Sequence, residues 1–157
     1  MFDFLKKKDL SLYSPVTGKM INIENVPDHV FASRMMGDGV AFEFQGRTVY
    51  APCDGKITMI AHTKHAIGFI TDYGVEILIH VGLDTVSFKG QGFKVLVHEG
   101  DKIKKGSAIM EIDRDFFKDK DVNFITPMVI TQNCQFELKK NAVNDVIKGE
   151  SQVIQFI

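Results

Sequence analysis

Ten short runs rich in β-branched and aromatic residues alternate with glycine-bearing turns along the chain, and none of the ten is longer than seven residues. They lie at 19–23, 40–44, 48–51, 55–61, 67–71, 75–80, 93–97, 108–112, 128–131 and 152–156. Between them stand Gly37-Asp38-Gly39, Asp72-Tyr73-Gly74, Gly90-Gln91-Gly92 and Glu99-Gly100-Asp101. Strands this short and this closely spaced bury enough surface only by closing over one another. The expected fold is therefore all-β, a sandwich or barrel. Helix signals are few. Residues 27–35 fit a short helix, with Asn25 or Val26 before Pro27 and Gly37 past its end, and residues 113–120 fit another turn or two. No linker or composition shift divides the 157 residues, so one domain over 11–157 is expected, preceded by a flexible tail at 1–10.

Composition removes several function classes. The net charge of −1 gives no overall field to attract nucleic acid, and none is expected as a partner. No apolar run is long enough to span a bilayer, and the first ten residues lack the pattern of a signal peptide. Two cysteines, Cys53 and Cys134, are too few for a disulfide framework and are read as small core residues. A cytoplasmic setting fits best. Phe2, Phe4 and Leu5 beside Lys6, Lys7 and Lys8 would give the tail slight affinity for the inner face of the membrane.

Ser14-Pro15-Val16-Thr17-Gly18-Lys19 is echoed by Ala51-Pro52-Cys53-Asp54-Gly55-Lys56, and an isoleucine-bearing strand follows each. This suggests a duplicated β motif. Glu99-Gly100-Asp101-Lys102-Ile103-Lys104-Lys105-Gly106 resembles the turn of biotinyl and lipoyl carrier domains, although no lysine sits in the hairpin context those cofactors need.

Of five histidines, two stand out. In the run from Gly74 to Val86, strand alternation puts Glu76, Leu78 and His80 on one face, and Val75, Ile77, Ile79 and Val81 on the other, apolar face. His80 is expected at the strand end, facing away from the core, where Gly82 lets the backbone turn. A carbonyl there can accept a hydrogen bond from the N–H of one ring nitrogen and leave the other as a nucleophile. In Thr63-Lys64-His65-Ala66-Ile67, alternation groups Thr63, His65 and Ile67, and a threonine hydroxyl can select an imidazole tautomer. The Asp72-Tyr73-Gly74 turn makes the two segments a hairpin that can set the histidines side by side. Phosphoryl transfer needs a neutral imidazole, in-line geometry and donors for the phosphoryl oxygens. An imidazole with a pKa of about 6.5 is mostly neutral at cytoplasmic pH. No glycine-rich nucleotide loop is present or needed.

The Gly74–Val86 run resembles the phosphorylation signature of the glucose-type enzyme IIA family of the bacterial phosphoenolpyruvate:sugar phosphotransferase system. The likeness extends through Asn25-Val26-Pro27-Asp28, Met36-Gly37-Asp38-Gly39, Ala51-Pro52, Asp54-Gly55, Lys64-His65-Ala66 and Lys89-Gly90-Gln91-Gly92-Phe93. It implies an antiparallel β sandwich with short helices. It implies that His80 is phosphorylated on Nε2, that His65 is the second active-site histidine and that Thr63 orients it. It implies that phosphate comes from the phosphocarrier HPr and goes to a cysteine on the IIB domain of a membrane sugar permease, with regulatory target proteins as further partners. Asp38, Val40, Ile67, Leu78 and Asp84 are expected to face those partners. The apolar ring is less aromatic here, with Ala61, Ile67 and Leu78 where some members carry phenylalanine. No cofactor is required. His65 and His80 are expected to bind zinc only when a partner adds a ligand. Met1 and the strand-like end at Ile157 favour a free-standing protein over a module of a larger permease.

Two other readings compete. His80-x-x-x-Asp84 is half the ligand set of some zinc peptidases, but their His-x-His half is absent, and His62-x-x-His65 on a strand would point its rings to opposite faces. A regulatory module that only docks partners can coexist with phosphate carriage.

Overall fold

The computed structural model describes residues 9–133 and 135–157. The strands are β1 (Ser11–Tyr13), β2 (Gly18–Asn22), β3 (Asp38–Phe44), β4 (Thr48–Tyr50), β5 (Gly55–Ile60), β6 (Ala66–Thr71) and β7 (Glu76–His80). They continue as β8 (Phe93–Val95), β9 (Lys102–Ile103), β10 (Ala108–Ile112), β11 (Thr126–Gln132), β12 (Leu138–Lys140), β13 (Asp145–Val146) and β14 (Gln152–Phe156). Two short helices, α1 (His29–Ala32) and α2 (Arg114–Phe117), and 3-10 turns at Ile23–Asn25 and Thr85–Phe88 complete the described elements.

One large sheet runs β13-β2-β3-β11-β7-β6-β5-β9, and two small sheets run β1-β14-β12 and β4-β10-β8. Every pairing is antiparallel. The main core joins one face of the large sheet (Val40, Phe42, Ile57, Ile67, Phe69, Ile77, Ile79, Met128, Ile130) to the inner faces of the small sheets (Leu12, Val49, Ile109, Met110, Ile154, Phe156). The architecture is thus the expected β sandwich.

The duplication is carried through in the pairing. Tyr13 N donates to the Pro52 carbonyl and Tyr50 N to the Pro15 carbonyl, both at 2.8 Å. The same exchange continues at the hairpins. Gly149 N donates to the Ser14 carbonyl and Gly106 N to the Ala51 carbonyl, both at 2.9 Å. Lys105 Nζ lies 3.8 Å from the Tyr13 ring centroid, and Lys148 Nζ lies 4.1 Å from that of Tyr50. Each repeat therefore closes on the other, about a local two-fold.

Two expectations shift and a third, for Cys53, holds. Asp9 and Leu10 belong to the domain and not to a tail: Asp9 accepts from Ser11 N and the Tyr13 hydroxyl, and the Leu10 carbonyl accepts from Phe156 N. The rest of the proposed tail, residues 1–8, and Cys134 lie outside the described residues. Both helices are shorter than expected. α1 starts after Asp28, whose carboxylate accepts from Val30 N, and it ends where Arg34 turns left-handed at φ 63°, before Gly37 is reached. Cys53 is a core residue, buried beneath the second proline turn, and that burial pushes its thiol pKa up to about 12.

Candidate functional site

The outer face of the large sheet is covered in part. Ala41, Ala66, Leu78 and Val129 project from it and meet Ile23, Val26, Phe31 and Leu83 from the flanking loops and α1. His80 is the last residue of β7, beside this smaller apolar cluster. Alternation does place it on the face opposite the main core, but that face is not open to solvent, and His80 is half-buried.

The His80 ring nitrogen Nδ1 lies 2.7 Å from the Gly82 carbonyl. A carbonyl only accepts, so Nδ1 carries the proton and Nε2 keeps its lone pair. Gly82 can aim that carbonyl because its φ is +79°. A Cβ there would stand 2.6 Å from Thr85 Cγ2. Gly82→Ala should therefore destabilise the fold by about 1–3 kcal/mol, read as a lower urea midpoint, and should slow phosphorylation through the displaced carbonyl.

His65 sits just before β6, whose Ala66 pairs with His80, and the His65 carbonyl accepts from Val81 N at 2.7 Å. The imidazoles meet edge to face, with centroids 4.7 Å apart and planes 78° apart. Thr63 Oγ1 lies 2.7 Å from His65 Nδ1. The sequence grouped Thr63, His65 and Ile67 by alternation, and that grouping fails at Ile67. Lys64 adopts φ 64°, so residues 63–65 form a turn and not a strand, and Ile67 points into the main core.

Three residues expected to face partners need correction. Val40 and Ile67 are each 1% exposed within the main core, out of a partner's reach. Leu78 is buried in the smaller cluster. Asp84 is exposed, in a left-handed turn. Asp38 is already paired: its Oδ1 accepts from Lys140 Nζ at 2.6 Å, Arg34 Nε at 3.0 Å and Gly39 N at 2.8 Å. Burial raises the Asp38 pKa, but the hydrogen bonds from Lys140 and Arg34 outweigh it and hold the carboxyl below its usual value. The sequence reading missed Phe31, whose ring packs 5.0 Å from that of His80, and Asp28, whose charge acts on His80.

Burial lowers the pKa of His80 most, and His65 lowers it further. The Gly82 hydrogen bond, Asp28 and Asp84 pull the other way without restoring the ordinary value. Burial likewise lowers His65, against hydrogen bonding to the Thr63 backbone. Both rings are then neutral at pH 7. Because the folded values lie below the unfolded value of about 6.5, the unfolded chain binds more protons below that pH. Stability contributed by the neutral pair should be complete above pH 6.5 and lost as pH falls from there toward the lowered folded values. Urea midpoints between pH 5 and 8 check this, and the slope should flatten when both histidines are replaced by glutamine.

The described residues contain no group of three or more His, Cys, Asp or Glu side chains that could hold a metal ion. The zinc-peptidase reading lacks its ligand set there.

The sequence model of the phosphoenolpyruvate-dependent sugar phosphotransferase system EIIA 1 family matches residues 10–136. This chain belongs to that family. Among its relatives are the glucose-specific EIIA components of Bacillus anthracis and Staphylococcus epidermidis. The first is 44% identical over 151 residues, covering 96% of this chain and 92% of the relative. The second is 40% identical over 148 residues, covering 94% and 89%. The solved glucose permease IIA of Mycoplasma capricolum superposes with a TM-score of 0.85 at 34% identity, covering 98% of both chains. As an EIIA component, the chain is a phosphocarrier of sugar uptake and a phosphotransferase component.

Proposed function

We propose that this carrier takes the phosphoryl group from phospho-HPr onto His80 Nε2 and passes it to a IIB cysteine in the cytoplasm. The observation that carries the reading is the 2.7 Å contact of His80 Nδ1 with the Gly82 carbonyl, which leaves Nε2 unprotonated. In the first step the Nε2 lone pair forms a bond to phosphorus as the bond to the donor breaks. In the second the cysteine thiolate forms the new bond and the imidazole leaves neutral. His65 donates from Nε2 to a phosphoryl oxygen once Thr63 donates to its Nδ1, a role supported by the 2.7 Å Thr63–His65 contact and the adjacent rings. Asp84 meets a cation of the partner, a role its exposure supports, and the pairing would speed encounter and fix orientation. The names of the relatives make glucose the first sugar to test. Incubation with phosphoenolpyruvate, enzyme I and HPr should give one phosphohistidine, mapping to His80. An unlabelled chain would end the proposal.

Both Nδ1 atoms are occupied, so the two Nε2 atoms are what the pair can offer a metal. Two imidazoles fill half a tetrahedral zinc site, so the domain alone should bind zinc weakly, and phosphorylation should block it. Titration calorimetry with zinc checks this. Tight stoichiometric binding by the free domain would contradict it.

A further inference from the structure

A neutral imidazole with one nitrogen tied down is still not aimed. The χ2 torsion of histidine is broad, so a single hydrogen bond at Nδ1 leaves the ring room to rock about that bond. In-line transfer tolerates little of this, since misplacement by about 1 Å can cost on the order of 10²-fold in rate. Something must fix the plane of the His80 ring.

Phe31 is in place to do so. Its ring lies 5.0 Å from that of His80 with the planes inclined at 59°. This is within the range in which ring pairs attract. Phe31 is 5% exposed and is the buried residue of α1. A four-residue helix cannot stand on its own. This one is held by the Asp28 cap at its start and by Phe31 in the smaller cluster with Ala66, Leu78 and Leu83. Those two attachments press its one buried ring against the imidazole. Val30 is 40% exposed, so the part of α1 open to a partner is a neighbouring residue and not Phe31.

We infer that Phe31 is a positioning residue, set by α1 against His80 so that Nε2 is held on the line of phosphoryl transfer. The inference rests on His80 being the phosphoryl acceptor. The test compares Phe31→Leu, which fills most of the volume without a ring, with Phe31→Tyr, which restores the ring. Phe31→Met replaces the leucine variant if that one unfolds. For transfer from phospho-HPr, the leucine variant should lose about tenfold in kcat with KM unchanged, and the tyrosine variant should recover it. Long-range nitrogen–proton spectra of the imidazoles should show the same Nδ1-protonated tautomer of His80 in both proteins, since the Gly82 carbonyl sets it, with broadened His80 ring signals in the leucine variant. A leucine variant with wild-type kcat and unbroadened His80 ring signals would overturn the inference, as would a change confined to KM, which would make Phe31 a docking residue. Peptide mapping of the wild-type label separates the two levels. Label on another residue removes the acceptor reading and this inference together. Label on His80 with an unaffected leucine variant removes this inference alone.

Discussion

Replacing His80 by glutamine should leave a folded protein that takes no phosphate at all from phosphoenolpyruvate, enzyme I and HPr. Glutamine can still donate to the Gly82 carbonyl, so the turn after β7 keeps its anchor. Its amide nitrogen has no lone pair to offer phosphorus, so no bond can form. The stability change should stay within about 1 kcal/mol, because the half-buried imidazole is held by one hydrogen bond and two ring contacts. Unfolding in urea and a labelling gel measure the two parts separately. The rival acceptor is His65, whose ring centroid is 4.7 Å away. It is buried, at 8% exposed, whereas His80 is only half-buried, so His65 is the harder of the two for a phosphoryl donor to reach. Label on the glutamine variant that mapped to His65 would exchange the two roles.

Much of this site could be read from the sequence because the strand period carries it. Alternation from Val75 to Val81 assigns Ile77 and Ile79 to the core and His80 to the opposite face, and the structure agrees. What alternation cannot report is a second layer. Leu78 was read as partner-facing because nothing local shows that α1 and Leu83 fold over it. The same limit hid Phe31, whose partner lies about fifty residues along the chain. The Asp28 cap was missed because Pro27 was taken as the first helical position, although Asp is a common cap residue. Strands β9 and β13 have two residues each, and β1 and β12 have three, too few for a period to show. β11 begins at Thr126, ahead of the run at 128–131, and takes in Pro127, a residue that argues against a strand. Pro127 is tolerated there because pairing with β7 begins only at Met128. The duplication was legible for a different reason: two proline-glycine turns must repeat their residues to repeat their backbone. The exchange of hydrogen bonds between them was not, since it is a long-range pairing.

His65→Gln should still accept phosphate on His80 but pass it on about 10²-fold more slowly, the usual cost of losing one positioned donor to a developing charge. Nδ1 lies 2.7 Å from the Thr63 hydroxyl. If that hydroxyl donates, the proton of His65 sits on Nε2, on a ring whose centroid is 4.7 Å from that of His80. A glutamine keeps an N–H donor, but nothing like the imidazole plane fixes its direction. Thr63→Val should give a smaller loss of the same kind, because it frees the tautomer and keeps the ring. The two variants should also separate in their pH dependence. His65 is one of the groups that lower the pKa of His80, after burial. Removing it should move the acid limb of phosphorylation upward, toward the ordinary histidine value, whereas Thr63→Val should leave that limb in place. Stability should fall by about 1–3 kcal/mol if the glutamine amide is left unpaired in the pocket. Rapid-quench transfer to a IIB domain, from carrier phosphorylated in advance, isolates the second step. Onward transfer at the wild-type rate would show that His65 packs beside the acceptor and takes no part in releasing the phosphoryl group.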